Sequence, residues 1–489
     1  MKKSLALLIL MSMISLAFAE RFVMFKPINQ TRIDLTSSTV LESITINPTE
    51  TGKVIVRFDG NCVSNVGDRI ILAASNDGTW GVNDGNTSVE AASSDYNQNS
   101  FSHTRVYEVT AGSHTYSAVA HNYVETDGNG EASIYGSLTV EFIPDAQFQV
   151  KSVGISATNI NLTTETVLDQ LAITSRFNGK VIVRFDGKVI STPGDRIVVA
   201  ASDEPEWNVN DGNVNFEAVD ADYNRNAFSH TRVYDFTAGT QNYYAVAQNY
   251  VETDGDGIAS IYGTLTVEFI PDGSMPTYFS PISATKVDLN TETSLAQVTF
   301  ITREPGKAIV TFDGMCIPSV GDRIVLAASD NGSWGVNDGA VGTEAYDADV
   351  DHKSFSHSRV YEINEGTHTF HAVGHNYVET AGDGIASIYG GLSVKFIPRS
   401  ITKLEDEVTS SLSLYPNPVT NILNIDLAPQ VGNGGSIEVL DMMGRMVKTL
   451  PLNGNKAQVD VSGLQKGAYI IQLKDEEGHK LGSNKFIKQ

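Results

Sequence analysis

Residues 101–144, FSHTRVYEVTAGSHTYSAVAHNYVETDGNGEASIYGSLTVEFIP, return nearly intact at 228–271 and again at 355–398. Each copy lies 127 residues beyond the one before it. A period of that length is far too long for a solenoid unit and suits a whole domain. The chain therefore reads as one fold written three times, and whatever fits one copy must fit all three.

Within a copy the signals are those of strands. In Lys53-Val54-Ile55-Val56-Arg57-Phe58, Val54, Val56 and Phe58 share one face while Ile55 and Arg57 take the other. The Asp59-Gly60 that follows is a hairpin-turn dipeptide. GDRIILAAS at 67–75, with counterparts at 194–202 and 321–329, is apolar enough to be buried on both faces. Leu138, Val140 and Phe142 alternate with Thr139 and Glu141 until Pro144 stops the run. No segment carries helical periodicity. About eight short strands per copy predict an all-β chain of three tandem β-sandwich, jelly-roll-like repeats.

The repeats are expected at 20–146, 147–273 and 274–400, with a linker at 401–411 and a separate domain at 412–489. Connections as short as Asp145–Val150 and Asp272–Thr277 predict three beads in a fairly stiff row. The order Gly-Lys-Val-Ile-Val, Gly-Thr-His-Thr, Leu-Thr-Val-x-Phe-x-Pro resembles the jelly rolls of complement-globular-head and tumour-necrosis-factor-like domains.

Both ends carry export signals. Met1–Ala19 has a basic start (Lys2, Lys3), an apolar run and an Ala17-Phe18-Ala19 cleavage site, which is the pattern of a secretory signal peptide. The C-terminal domain is a set of short alternating strands between Gly, Asn and Pro turns, which predicts a small Ig-like sandwich. Four motifs stand there in order: Tyr415-Pro416-Asn417-Pro418, DMMGR from Asp441 to Arg445, LQKGAY from Leu464 to Tyr469, and the basic end Lys485–Gln489. In these the segment resembles the type A C-terminal sorting domain of type IX secretion cargo. The resemblance implies a Bacteroidota-type host and passage across the outer membrane by the type IX machinery. It also implies removal of this domain, followed by release or attachment to surface polysaccharide.

The formal net charge of −24 argues against nucleic acid and anionic membrane surfaces as partners. The two cysteines, Cys62 and Cys316, occupy one position of the repeat where the second copy has Val189. A site that takes Cys or Val is a small buried apolar one.

Catalytic constellations are scarce, and no enzymatic activity is expected. Ser102 and His103 are adjacent on a strand and so face opposite sides; His103 belongs to a structural polar stripe with Phe101, Arg105 and Tyr107. His114 and His121 recur as His368 and His375, but the second copy has Gln241 and Gln248, which do not replace histidine on a transition metal. The Asp127–Glu131 loop has calcium-like spacing that thins in the other copies and reads as a hairpin turn.

The polar loop after the buried strand holds the ligand-binding candidates. Trp80, Trp207 and Trp334 are the three tryptophans of the chain, each followed by an Asn-Asp pair: Asn83 and Asp84, Asn210 and Asp211, Asn337 and Asp338. An aromatic ring stacks on the apolar face of a sugar, and the amide and carboxylate bond its hydroxyls. Nearby acids make calcium the candidate cation, at Asp84, Glu90 and Asp95, at Asp211, Glu217 and Asp222, and at Asp338, Glu344 and Asp349. No other cofactor is implied. The competing reading tucks each tryptophan into its own domain. The sequence thus predicts a secreted or cell-surface binding and adhesion protein for extracellular glycan, with a structural spacer as the alternative and a polysaccharide hydrolase behind it.

Overall fold

In the computed structural model the described residues are 21–81, 86–94, 96–125, 128–145, 148–207, 213–252, 255–335, 340–379, 382–399, 413–426, 435–441, 446–451, 456–474 and 480–489. The predicted leader, Met1–Ala19, lies outside them. Two compact units divide the chain, one ending at Thr402 and the other beginning at Lys403.

The first repeat has eight strands: β1 (Phe22–Asp34), β2 (Thr39–Ile46), β3 (Gly52–Ser64), β4 (Asp68–Ser75), β5 (Thr87–Glu90), β6 (Gln98–Val109), β7 (His114–Glu125) and β8 (Glu131–Pro144). They form two four-stranded antiparallel sheets, ordered β1-β8-β3-β6 and β2-β7-β4-β5, and the other two repeats have the same pair of sheets. This is a jelly-roll sandwich, as the strand pattern predicts. Alternation decides the packing: Val54, Val56 and Phe58 join Leu138, Val140 and Phe142 between the sheets. Cys62 and Cys316 are buried and free, in the apolar sites expected of them.

Asp59-Gly60 is not a turn. Both residues lie in the middle of β3, where Gly60 pairs with Gly136 of β8. A Cβ on Gly60 would overlap the Tyr135 carbonyl oxygen, and Gly187 and Gly314 face Tyr262 and Tyr389 in the same way. The glycine is there for a close strand approach, which a dipeptide rule does not see.

His103 does structural work. Its Nδ1 accepts from the Ala74 N–H at 2.9 Å, while the Tyr107 hydroxyl donates to the Ala74 carbonyl at 3.2 Å. The two side chains of β6 thus serve both backbone groups of one β4 residue across the sandwich. His230 and Tyr234 hold Ala201 in this manner, as His357 and Tyr361 hold Ala328. Burial pushes the His230 pKa well below the usual histidine value, which keeps the acceptor form.

The three repeats do not stand in a row. β6 and its equivalents Arg225–Phe236 and Lys353–Ile363 touch one another, and each repeat's β5 equivalent meets the β6 equivalent of the next. The chain of contacts runs from repeat one to two, two to three, and three back to one. The result is a closed ring about a pseudo-threefold axis, and short linkers allow it because consecutive repeats are adjacent.

The axis is layered. Val23, Ile55, Ile143, Phe148, Val150, Ile182, Ile270, Met275 and Ile397, drawn from all three repeats, form one buried apolar cluster. Each such side chain contributes about 1.5–3 kcal/mol when taken from water. Beside it lies an ionic layer. Glu141, Glu268 and Lys395 occupy one position of the repeat, and Arg21 inserts among them fully buried. Lys395 Nζ donates to Glu141 Oε2 at 2.7 Å and to Glu268 Oε2 at 2.9 Å. The Arg21 guanidinium donates to both glutamates and covers the Phe148 ring. Further along, Arg57 of repeat one donates to Thr311 and Ser356 of repeat three, and Asp313 accepts from Ser229 and Thr231 of repeat two.

The C-terminal unit is a separate seven-stranded sandwich among the described residues, with sheets of three and four strands over a core that includes Leu423, Val439, Ile471 and Phe486.

Candidate functional site

Two of the tryptophans, Trp334 and Trp207, stand at seams of the ring. Trp334, Tyr377, Arg323, Val325, Ala340 and Gly342 of repeat three face Ile28, Asn61, Val63, Gln98 and Tyr135 of repeat one across a groove of about 320 Å³. Trp207, Tyr250, Arg196, Asn213 and Asn215 of repeat two face Met315, Ile317, His352 and Tyr389 of repeat three across one of about 260 Å³. The third seam joins Asn86 of repeat one to Lys188 of repeat two, and Thr87 Oγ1 donates to the Gly187 carbonyl there.

Each tryptophan is half-buried on a platform of its own domain. Trp80 stacks on His121 with centroids 5.4 Å apart and meets the edge of Tyr123. Trp334 does the same with His375 and Tyr377. In repeat two the Trp207 Nε1–H donates to Gln248 Oε1 at 2.6 Å, with Tyr250 at its edge. The His-or-Gln position thus carries the tryptophan, which explains why either residue serves. The other such position also exchanges one donor for another: His114 and His368 stand on the carbonyls of Thr110 and Asn364, and Gln241 on that of Thr237. The flanking tyrosines are the exposed part of the platform, with Tyr123 at 55%, Tyr250 at 56% and Tyr377 at 56% exposure.

Asn83, Asp84, Asp95, Asn210, Asp211, Asn337 and Asp338 lie outside the described residues. Of the remaining acids, Glu90, Glu217 and Glu344 are buried and ion-paired to Arg69, Arg196 and Arg323 of the adjacent strand. Asp222 and Asp349 are exposed, in loops whose backbone N–H groups bond Asp220 and Asp347. Among the described residues, the one group of three metal-type ligands is Glu217, Asp351 and His352, which differs from the expected trio. It already has an internal ion pair: His352 Nδ1 lies 2.7 Å from Asp351 and 3.1 Å from Glu217, and Arg196 Nε stands 2.5 Å from the same Glu217 oxygen. These contacts lift the His352 pKa above its ordinary value against the opposing effect of burial.

The loop tryptophans were legible as candidates, but the opposite walls of the grooves were not. Those walls come from another repeat. Comparing the copies with one another gives the missing signal: Asn61, Lys188 and Met315 share a position, as do Gln98, Arg225 and His352. These two divergent positions line the seams.

Comparison with known proteins adds the following. Residues 413–489 match the family model described as a secretion system C-terminal sorting domain. No curated protein matches the chain. Among solved structures, PorZ, a surface component of the type IX secretion system of Porphyromonas gingivalis, is 17% identical with a TM-score of 0.15. That likeness covers 23% of this chain, which spans 15% of the PorZ chain. A protein of an archaeal virus described by its triple jelly roll fold is 11% identical over 77% of this chain and 90% of its own, with a TM-score of 0.19. PNGF-II is 10% identical over 71% of this chain and 99% of its own, with a TM-score of 0.23. The four motifs, their order and the family match agree: this chain ends in a secretion-system C-terminal sorting domain and is a cargo of type IX secretion, exported to the outer surface or beyond it.

Proposed function

We propose that the protein is a surface-displayed or secreted binding and adhesion protein that recognises extracellular glycan through the tryptophan grooves of its repeat ring. The observation that carries this reading is the placement of Trp207 and Trp334, each half-buried with an exposed tyrosine beside it, in grooves between two repeats. Aromatic faces and planar polar groups in one groove suit a sugar ring, which has an apolar face and a hydroxyl rim. Binding is favoured over hydrolysis because the nearby glutamates are committed to arginines, whereas glycoside cleavage needs two carboxylates free to act across the bond. Several sites on one body act together by raising effective concentration at a surface. A role as spacer without ligand is the alternative.

The test is retention on a glycan array of the mature chain carrying Trp80→Ala, Trp207→Ala and Trp334→Ala together. The reading expects retention to fall at least about tenfold with the melting temperature nearly unchanged. Retention equal to that of the parent chain, or none by the parent itself, would refute it.

A further inference from the structure

The three seams descend from one repeated design but carry different side chains at their centre. Position 61 of the repeat frame is Asn61 in the groove between repeats three and one, and Met315 in the groove between two and three. Between one and two it is Lys188. Met315 is buried with the core cluster of repeat two and lines the groove of about 260 Å³ there. Small residues keep the groove between three and one open as well: Ala340 and Gly342 stand where the other repeats have Asn86 and Ser88, or Asn213 and Asn215.

Lys188 behaves otherwise. Its Nζ donates to Asn86 Oδ1 at 2.9 Å, and Asn86 Nδ2 in turn donates to the Gly81 carbonyl at 3.2 Å, next to Trp80. The same ammonium lies 5.8 Å from the centroid of Tyr262, the counterpart of the tyrosines that wall the open grooves. One side chain therefore spans from the tryptophan loop of repeat one to the far wall in repeat two. The neighbouring charges are Arg69 and Glu90 from repeat one and Arg225 from repeat two, with Arg225 paired to Glu90. Burial and the two arginines push the Lys188 pKa down to about 8, as expected of an ammonium inserted in the seam rather than extended into water.

We infer that only two of the three grooves accept a saccharide, and that Lys188 is a built-in plug closing the one between repeats one and two. This rests on the glycan reading for the ligand but not for the plug. The chain would then be bivalent, with its two working grooves both bordered by repeat three.

The three tryptophans allow each groove to be read separately. Full-length mature chains with two tryptophans replaced by phenylalanine keep one reporter each. Acrylamide, a neutral quencher, tests access without any sugar. The Trp80 reporter should be quenched about twofold less than the Trp207 and Trp334 reporters, and Lys188→Met should bring it level with them. Lys188→Asn, the residue of the first repeat, is the second variant, so that a fold defect in one does not decide the result. In titrations with cellohexaose and chitohexaose, and with any oligosaccharide retained on the array, Trp207 and Trp334 should respond and Trp80 only after Lys188 is replaced. Equal quenching of all three reporters, unmoved by both variants, would overturn the plug. Unequal quenching that the variants relieve, with no saccharide response at any reporter, would uphold the plug and overturn the glycan reading.

Discussion

His352 shows how one residue can specialise a seam. It faces Glu217 of the preceding repeat, where its counterparts are Arg225 facing Glu90 and Gln98 in the groove lined by Arg323. Arginine is charged at any relevant pH and glutamine never is; only histidine titrates. Its pKa in the folded chain lies above the ordinary 6.5. Its contribution to stability is therefore complete below about pH 6.5 and is lost as pH rises through the folded value. The melting temperature of the chain should fall across that window, and His352→Gln should flatten the fall while lowering the plateau on the acid side. Melting curves between pH 5.5 and 8.5 check this, and an unchanged pH profile in the variant would contradict it. The buried cysteines and the structural role of His103 were legible at this scale, because each depends on local pattern. Gly60 was not: the reason for its glycine is a backbone on another strand.

At the scale of the element, the strand pattern accounts for the sheets but does not tell what covers their outer faces. Thr139 and Glu141 alternate with the core residues of β8, and in a lone sandwich such a face meets water. Here it meets the pseudo-threefold axis, and Glu141 is buried with Glu268 and Lys395. Three identical copies would place three like charges together at that point, which burial makes prohibitive. Divergence to Glu, Glu and Lys, with Arg21 added, gives two charges of each sign. Burial opposes the Glu268 charge, but Arg21 and Lys395 overcome it and hold its carboxyl below the usual range, so the layer stabilises above about pH 4.5 and weakens as acid titrates it. Lys395→Glu should destabilise the ring by about 3–5 kcal/mol, the cost of leaving buried charge unpaired. Urea denaturation at pH 7 measures it. A loss under about 1 kcal/mol would mean that the layer is solvated. The sign change at one position of the repeat was the available clue.

For the whole molecule, the sequence reading was right about three β-sandwich repeats and a separate sorting domain, and wrong about their arrangement. Copy number, strand periodicity and sorting motifs are written locally, whereas ring closure depends on surfaces that are complementary only in three dimensions. The grooves exist because the ring closes, since each has one wall from either repeat. An isolated repeat would expose its share of the axial cluster and carry half a groove, so binding should belong to the ring and not to its parts.

The most direct test of that closure is the radius of gyration of residues 20–402 by small-angle X-ray scattering. A compact body of this length has a value of about 21 Å, and three sandwiches in a line about 32 Å. A value near the first is predicted; a value near the second would contradict the ring and the composite grooves with it.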